Sequence, residues 1–270
     1  MKFSLFGVGC LLIFFCVTEV SVAQQNTAQP TPQTLSATPV LVELFTSEGC
    51  STCPPADSLL ARLEDKQPIP GALIIAFEEH VDYWNHDGWF DPYSDAEWTM
   101  RQQDYAAVFK SEGVYTPQMV VDGQSQFIGS GINQAAKAIS EGAQRVKTEV
   151  SLTSAVARPN GPALLTIKIA KLANPSEKDT VDVWLAVAES GLHSAVTAGE
   201  NSGKNLHHAS VLRSLRKIGA ADRTQPVSYA TTVNVKFKAG WKRSSLRLVV
   251  FVQERKSRKI LGAASIAVDG

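Results

Sequence analysis

Residues 40–57 read VLVELFTSEGCSTCPPAD, and the order of features in this stretch sets what to expect of the first half of the chain. Val40 to Phe45 is a short, mostly apolar run bounded by turn residues, the pattern of a strand buried on both faces. Cys50 and Cys53 follow, separated by two residues. Ala56, Leu59, Leu60 and Leu63 then fall at helical spacing until Pro68 and Pro70 stop the helix. A cysteine at a helix start meets unpaired amide hydrogens and the positive end of the helix dipole, which favour the thiolate. Cys50 is therefore the expected exposed nucleophile and Cys53 the more covered, resolving thiol, and the two are close enough to bridge.

Two other uses of the pair have to be weighed. A bridge closing so small a loop is a weak staple, worth about 2 kcal/mol against roughly 4.7 for a 100-residue loop. Structural zinc usually takes four nitrogen or sulfur ligands, and the chain has no second C-x-x-C; its other two cysteines, Cys10 and Cys16, lie in an apolar N-terminal run. Redox chemistry is the leading use, with a metal site and a structural bridge behind it.

Outward from this stretch, Ala72 to Phe77 (ALIIAF) is a second buried strand, and Ser94 with Glu97 forms a capping-box pattern at the start of a second helix. Residues 117–129, PQMVVDGQSQFIG, predict a hairpin turning at Asp122-Gly123, and Ile132, Ala135, Ala136, Ile139, Ala143 and Val146 predict a third helix. The order is β-α-β-α-β-β-α. Beyond Lys147 helical periodicity fades and short strand-like runs separated by Gly, Pro, Asn and Ser clusters take over, at 149–155, 163–172, 181–188, 227–237, 246–253 and 260–268. They predict a second, all-β, sandwich-like domain over residues 148–270.

At the N-terminus, Lys2, the apolar run Leu5 to Val17, and the small residues Ser21 and Ala23 have the layout of a signal peptide, residues 1–23, cleaved after Ala23. Residues 24–38 are polar, proline-bearing and aperiodic, the composition of a disordered leader. Cleavage removes Lys2 and Glu19 together, so the balance of 26 basic and 26 acidic residues stays at zero. No basic excess points to nucleic acid, and no later segment is long and apolar enough to predict a membrane span. Cleavage also removes Cys10 and Cys16, leaving Cys50 and Cys53 as the only cysteines of an exported, periplasmic or secreted protein, where disulfides persist.

Two loops carry further chemistry. Residues 78–93, EEHVDYWNHDGWFDPY, crowd His80, Asp82, Tyr83, Trp84 and His86 together as a substrate lip, or as a source of imidazole for a copper or zinc site made with Cys50 and Cys53. Aromatic packing of a long connector is the plainer expectation for the metal case. Residues 197–217, TAGENSGKNLHHASVLRSLRK, interrupt the second run of strands with a structured surface loop; neighbours on an extended chain point opposite ways, so His207 and His208 do not face one ion.

These motifs carry a resemblance. Residues 40–146 resemble the thioredoxin-like superfamily: VLVELF is similar to its central strand, CSTC to its redox pair, Thr116-Pro117 to its cis-proline, and MVVDGQSQFIG to its last hairpin. The whole mature chain is similar to the exported bacterial proteins grouped as domain of unknown function 1223, in EGCxxCPPAD, HVDYW, YTPQMVVDG and GENxG followed by histidine. The resemblance implies an α/β thioredoxin-like domain over 39–147, with Pro117 bounding and Thr116 lining a groove for extended substrate. Thioredoxins carry a buried acid six residues before the first cysteine, where this chain has Leu44; Glu43 takes that part as proton acceptor for Cys53 only if the next loop holds an extra residue. Pro54-Pro55 is a further departure, since proline pushes the preceding residue away from αR and makes Cys53 a cap.

The expected function is an exported thiol–disulfide oxidoreductase without a cofactor, acting on a disulfide- or dithiol-containing protein or peptide and served by a redox recycling partner. Reductases, oxidases and isomerases share such a pair and differ in potential and partner. The alternatives are a copper or zinc binding and delivery protein using Cys50, Cys53, His80 and His86, and a binding module without catalysis.

Overall fold

In the computed structural model, described over residues 1–4, 37–156 and 161–268, strand β1 (Thr38–Thr46) is buried from Val40 onward and runs directly into the cysteine turn. Residues 5–23 of the expected signal peptide, and the leader apart from residues 37 and 38, lie outside the described residues. Helix α1 (Pro54–Lys66) starts on two prolines, buries Ala56, Leu59, Leu60 and Leu63, and ends where Gln67 turns left-handed. Then come β2 (Ala72–His80), α2 (Ala96–Phe109), β3 (Gln118–Val121), β4 (Ser125–Ile128) and α3 (Ile132–Ala143). The α2 cap is Asp95, whose carboxylate accepts the Glu97 amide at 2.9 Å, rather than Ser94, which bonds the Asp91 carbonyl instead. Positive φ at both Asp122 and Gly123 supplies the backbone a tight hairpin needs.

The second half contributes β5 (Val150–Val156), β6 (Ala163–Ala170), β7 (Val181–Glu189), β8 (Leu192–Ala195), β9 (Asn205–His208), β10 (Val211–Ala220), β11 (Val227–Val235), β12 (Leu246–Glu254) and β13 (Ile260–Ala267). Here the structure overturns the expected fold class. Instead of a thioredoxin-like α/β domain followed by its own β-sandwich, one mixed sheet of eight strands crosses the whole described chain in the order β13-β12-β7-β10-β2-β1-β3-β4. The described residues are mostly β, with three α-helices. The seam is β2 against β10, parallel, with Val211 opposite Glu78 and the Glu78 amide on the Ser210 carbonyl at 3.0 Å. A three-stranded sheet, β11-β6-β5, and the small hairpin β8-β9 complete the strands.

The physical reason lies in what side chains record. An apolar strand advertises its buried faces, but its edge partner is chosen through backbone hydrogen bonds that leave no mark in composition. The core follows the continuous sheet. Val40, Val42, Leu44, Ile74 and Met119 pack under α1 and α3. On the opposite face Leu41, Ile75, Phe77 and Trp98 of α2 share a cluster with Ala186, Leu212, Val249 and Phe251 from the second half. A third cluster joins β6 to β7 and β12 through residues such as Leu165, Ile167, Leu185 and Val250.

Candidate functional site

At the end of β1 the chain turns through Ser47 to Cys53, and Cys50 and Cys53 are joined by a disulfide with Cα atoms 5.4 Å apart. Cys53 is the N-cap of α1 and adopts αR geometry despite the proline after it. The Cys50 sulfur lies 3.4 Å from Thr52 Oγ1. Ser51 and Thr52 are exposed, yet Cys50 is 1% exposed and Cys53 fully buried, so the expected open nucleophile is covered. Its cover comes from the second half: Asn201 Nδ2 donates to the carbonyls of Glu48 (2.7 Å) and Cys50 (3.0 Å), and Glu200 accepts the Ser51 amide at 3.0 Å.

The aromatic loop supplies the other wall. A Cβ on Gly49 would stand 3.0 Å from Trp84 Cβ, so a larger residue there would crowd the Trp84 segment away from the turn. Trp84 Nε1 in turn donates to Thr116 Oγ1 at 2.8 Å, and the Thr116–Pro117 bond is cis. Pro117 sits beside the first turn of α1 across Gly129, where a Cβ would be 3.1 Å from both Ala56 and Pro117. Among the loop residues named from sequence, Trp84 reaches the cysteine turn. Asp82 accepts from Thr99 (2.6 Å), Tyr83 donates to Gln102 (3.2 Å), and His86 is exposed. The four-residue metal set is not assembled: the one group of three or more ligand-type atoms clustered within 4.8 Å among the described residues is Glu78, His80 and His208, with neither cysteine.

Glu43 does not reach the thiols. It points to the α2 face of the sheet, where its carboxylate takes Arg101 Nε at 2.6 Å and the Tyr105 hydroxyl at 2.5 Å, while α1 packs on the other face. The acid on the cysteine side is Asp57, one helical turn after Cys53 and on the same face of α1. Its Oδ1 accepts the Thr46 hydroxyl at 2.6 Å. Burial, aided by Glu78 and opposed by Thr46, His208 and His80, raises its pKa from 3.8 to about 7. A carboxyl that exchanges its proton near neutrality is suited to take one from a neighbouring thiol.

Beneath the turn lies a buried network of charged groups from both halves. His80 Nδ1 bonds Asp91 Oδ2 at 2.7 Å, and the same oxygen accepts the Glu48 amide at 2.9 Å. His208 Nε2 bonds Glu48 Oε1 at 2.9 Å, and Trp89 Nε1 holds Glu48 Oε2 at 2.8 Å. Burial opposes charge on both imidazoles, but Asp91 and then Glu78 push His80 well above the usual range, and Glu48 and Glu78 push His208 up to about 9. Burial favours the neutral acid at Glu78, and the two histidines outweigh it, leaving that carboxyl below its usual range. Sequence reasoning left Asp57, Glu48 and Glu78 out of the site and read Asn201 and His208 as part of a structured surface loop. The usable signal was the density of charge in otherwise apolar runs, at Glu78-Glu79-His80 after ALIIAF.

Fold and site define a class: a single mixed-sheet protein with a covered C-x-x-C disulfide at a helix start, set over a buried carboxylate–imidazole network. The chain belongs to the family described as "Protein of unknown function (DUF1223)", which matches residues 41–253. It is similar in structure to protein AGR_C_4864 from Agrobacterium tumefaciens, with 25% identity, a TM-score of 0.63, and coverage of 86% of this chain and 96% of that one. It also shares its fold with HBP35 of Porphyromonas gingivalis, at 16% identity and a TM-score of 0.60, covering 86% of this chain and 76% of that one. No curated protein matches the chain significantly.

Proposed function

We propose that the protein is an exported thiol–disulfide oxidoreductase working through Cys50 and Cys53. The observation that carries the proposal is the Cys50–Cys53 disulfide itself, closed at the start of α1 with Asp57 one turn away. In the reduced protein the Cys50 thiolate attacks a substrate disulfide; one substrate sulfur bonds to Cys50 and the other leaves as thiolate, taking a proton from solvent. Cys53 then passes its proton to Asp57 and attacks Cys50 Sγ, breaking the mixed disulfide and releasing the second thiolate. Two electrons have moved to the substrate and the pair is again a disulfide; the reverse sequence oxidises a dithiol. Thr116, Pro117 and Trp84 flank the turn where an extended peptide would lie, and access to Cys50 requires the Gly199–Lys204 loop to lift.

Export rests on the leader-like N-terminus; no helix among the described residues is long and apolar enough to cross a membrane. The test is exchange with a model peptide disulfide, comparing wild type with Cys50→Ser and trapping mixed disulfides on Cys53→Ala. Equal exchange by Cys50→Ser and wild type overturns the proposal.

A further inference from the structure

Three buried atoms of the charged network face one another without a hydrogen-bond partner: Glu78 Oε2, His80 Nε2 and His208 Nδ1. They lie within 4.8 Å of one another, with Oε2 at 3.2 Å from Nδ1 and 3.7 Å from Nε2. Each is aimed inward because its companion atom is tied elsewhere. Glu78 Oε1 accepts the Ala209 amide at 3.2 Å, His80 Nδ1 is held by Asp91, and His208 Nε2 by Glu48. Asp91 and Glu48 are themselves fixed, by the Tyr93 amide on Oδ1 (2.9 Å) and by Trp89. All three side chains are at least nine-tenths buried, so these atoms can be satisfied only by one another or by a group bound between them.

We infer that Glu78, His80 and His208 bind one divalent first-row transition ion of the zinc type, through Glu78 Oε2, His80 Nε2 and His208 Nδ1. Ligand atoms about 2.0–2.1 Å from a tetrahedral zinc stand roughly 3.3 Å apart, close to the 3.2 and 3.7 Å spacings already present. Imidazole with carboxylate suits zinc, iron or nickel rather than magnesium or calcium, which take oxygen. The carboxylates behind both histidines fix which ring nitrogen faces inward, the second layer that metal-ligating histidines usually have. Three carboxylates, of Glu48, Glu78 and Asp91, adjoin the two imidazoles, so a divalent cation placed between the rings has negative charge around it. His208 also lines a surface cleft with Ala61, Glu64, Ser190 and Gly191. Three protein donors leave a coordination position for water.

The inference uses neither cysteine, so it stands or falls separately from the redox proposal. Chelator-treated full-length protein is titrated with Zn(II) and dialysed, and Co(II) is used as a spectroscopic probe. One equivalent of zinc per chain is expected to remain, and cobalt should show visible ligand-field bands without a sulfur-to-metal charge-transfer band. Both results should be unchanged in the Cys50→Ser/Cys53→Ser protein and in His207→Ala, an exposed neighbour. His208→Ala should weaken zinc binding by more than about 100-fold, and Asp91→Asn by about 10–100-fold. Wild type that is folded by circular dichroism yet retains no zinc overturns the site, whatever the variants do. So does binding that survives in folded His208→Ala or is lost with the cysteines.

Discussion

Asp57 offers the sharpest test of the proposed exchange chemistry, because its burial makes a thermodynamic and a kinetic statement at once. Its folded pKa of about 7 lies above the unfolded value of 3.8. Between those values the folded protein binds more protons than the unfolded chain, so stability must fall as pH rises through that window. At 1.36 kcal/mol per unit, the rise corresponds to a penalty of about 4 kcal/mol once the carboxyl ionises in the folded state above pH 7. Asp57→Asn keeps an acceptor for Thr46 and has no charge to bury, so the variant should lack this slope. For a domain this size 1 kcal/mol moves Tm by about 2–4 °C, so the variant should melt roughly 10 °C above wild type at pH 8, about 5 °C above it at pH 5 and close to it below about pH 4. In the same protein the resolving step loses its proton acceptor. A positioned general base is worth about 10²–10⁴-fold, so the Cys50 mixed disulfide should decay at least about 100-fold more slowly at pH 7. Parallel melting curves from pH 5 to 8 for the two proteins would refute the burial argument; equal decay of the mixed disulfide would remove Asp57 from the mechanism.

Arg101→Met should destabilise the protein by about 3–5 kcal/mol in denaturant titration, because it strands the buried Glu43 carboxylate, whereas Glu79→Gln should be nearly neutral. Burial, and then Glu43, raise the Glu79 carboxyl well above the usual range, so burial of a neutral amide at that place replaces a carboxyl whose neutral form is already favoured. Asn201→Ala leaves the Glu48 and Cys50 carbonyls without their shared donor, costing about 1–3 kcal/mol and speeding reduction of the Cys50–Cys53 disulfide by an external thiol. A chain ended at Lys147 exposes the β2 edge and the apolar face around Phe77 and Trp98, and should be recovered aggregated or without cooperative melting.

How far the sequence could be read depended on what each element asks of its side chains. The first seven elements announce themselves through apolar periodicity, proline stops and the Asp122-Gly123 turn, and they occur where those signals lie. The architecture was misread at β10. Its residues, VLRSLRKIGA, carry three cations, and only Val211 and Leu212 at its start are fully buried. That composition passes for a surface loop, yet β10 is the strand that couples β7 to β2 and turns two expected domains into one sheet. The resemblance puts the buried acid at the position of Leu44 and admits Glu43 only with an extra loop residue; the alternation of β1 puts Glu43 on the α2 face with Leu41 and Phe45, opposite Leu44 and the helix that carries the cysteines.

The same topology explains why so many charged groups are buried in a chain with an apolar core to spare. Arg101 of α2 holds Glu43 of β1 and reaches Gln253 of β12 at 3.3 Å. His208 ties Glu48 of the cysteine turn to Glu78 of β2, and Asn201 fastens the turn from above. Apolar contacts between sheet layers tolerate small slips, whereas each of these pairs is satisfied at one register only and is costly when broken. The charges therefore fix how the second half lies on the first, in particular the height of the Gly199–Lys204 loop over Cys50. A redox pair covered by a loop so anchored is reached when that loop lifts, and Glu48 belongs to both places, its carbonyl accepting from Asn201 and its carboxylate backing His208 of the inferred metal site. Occupancy of that site should thus set how readily Cys50 is exposed, which makes the rate of disulfide reduction with and without bound zinc the measurement that connects the two proposals.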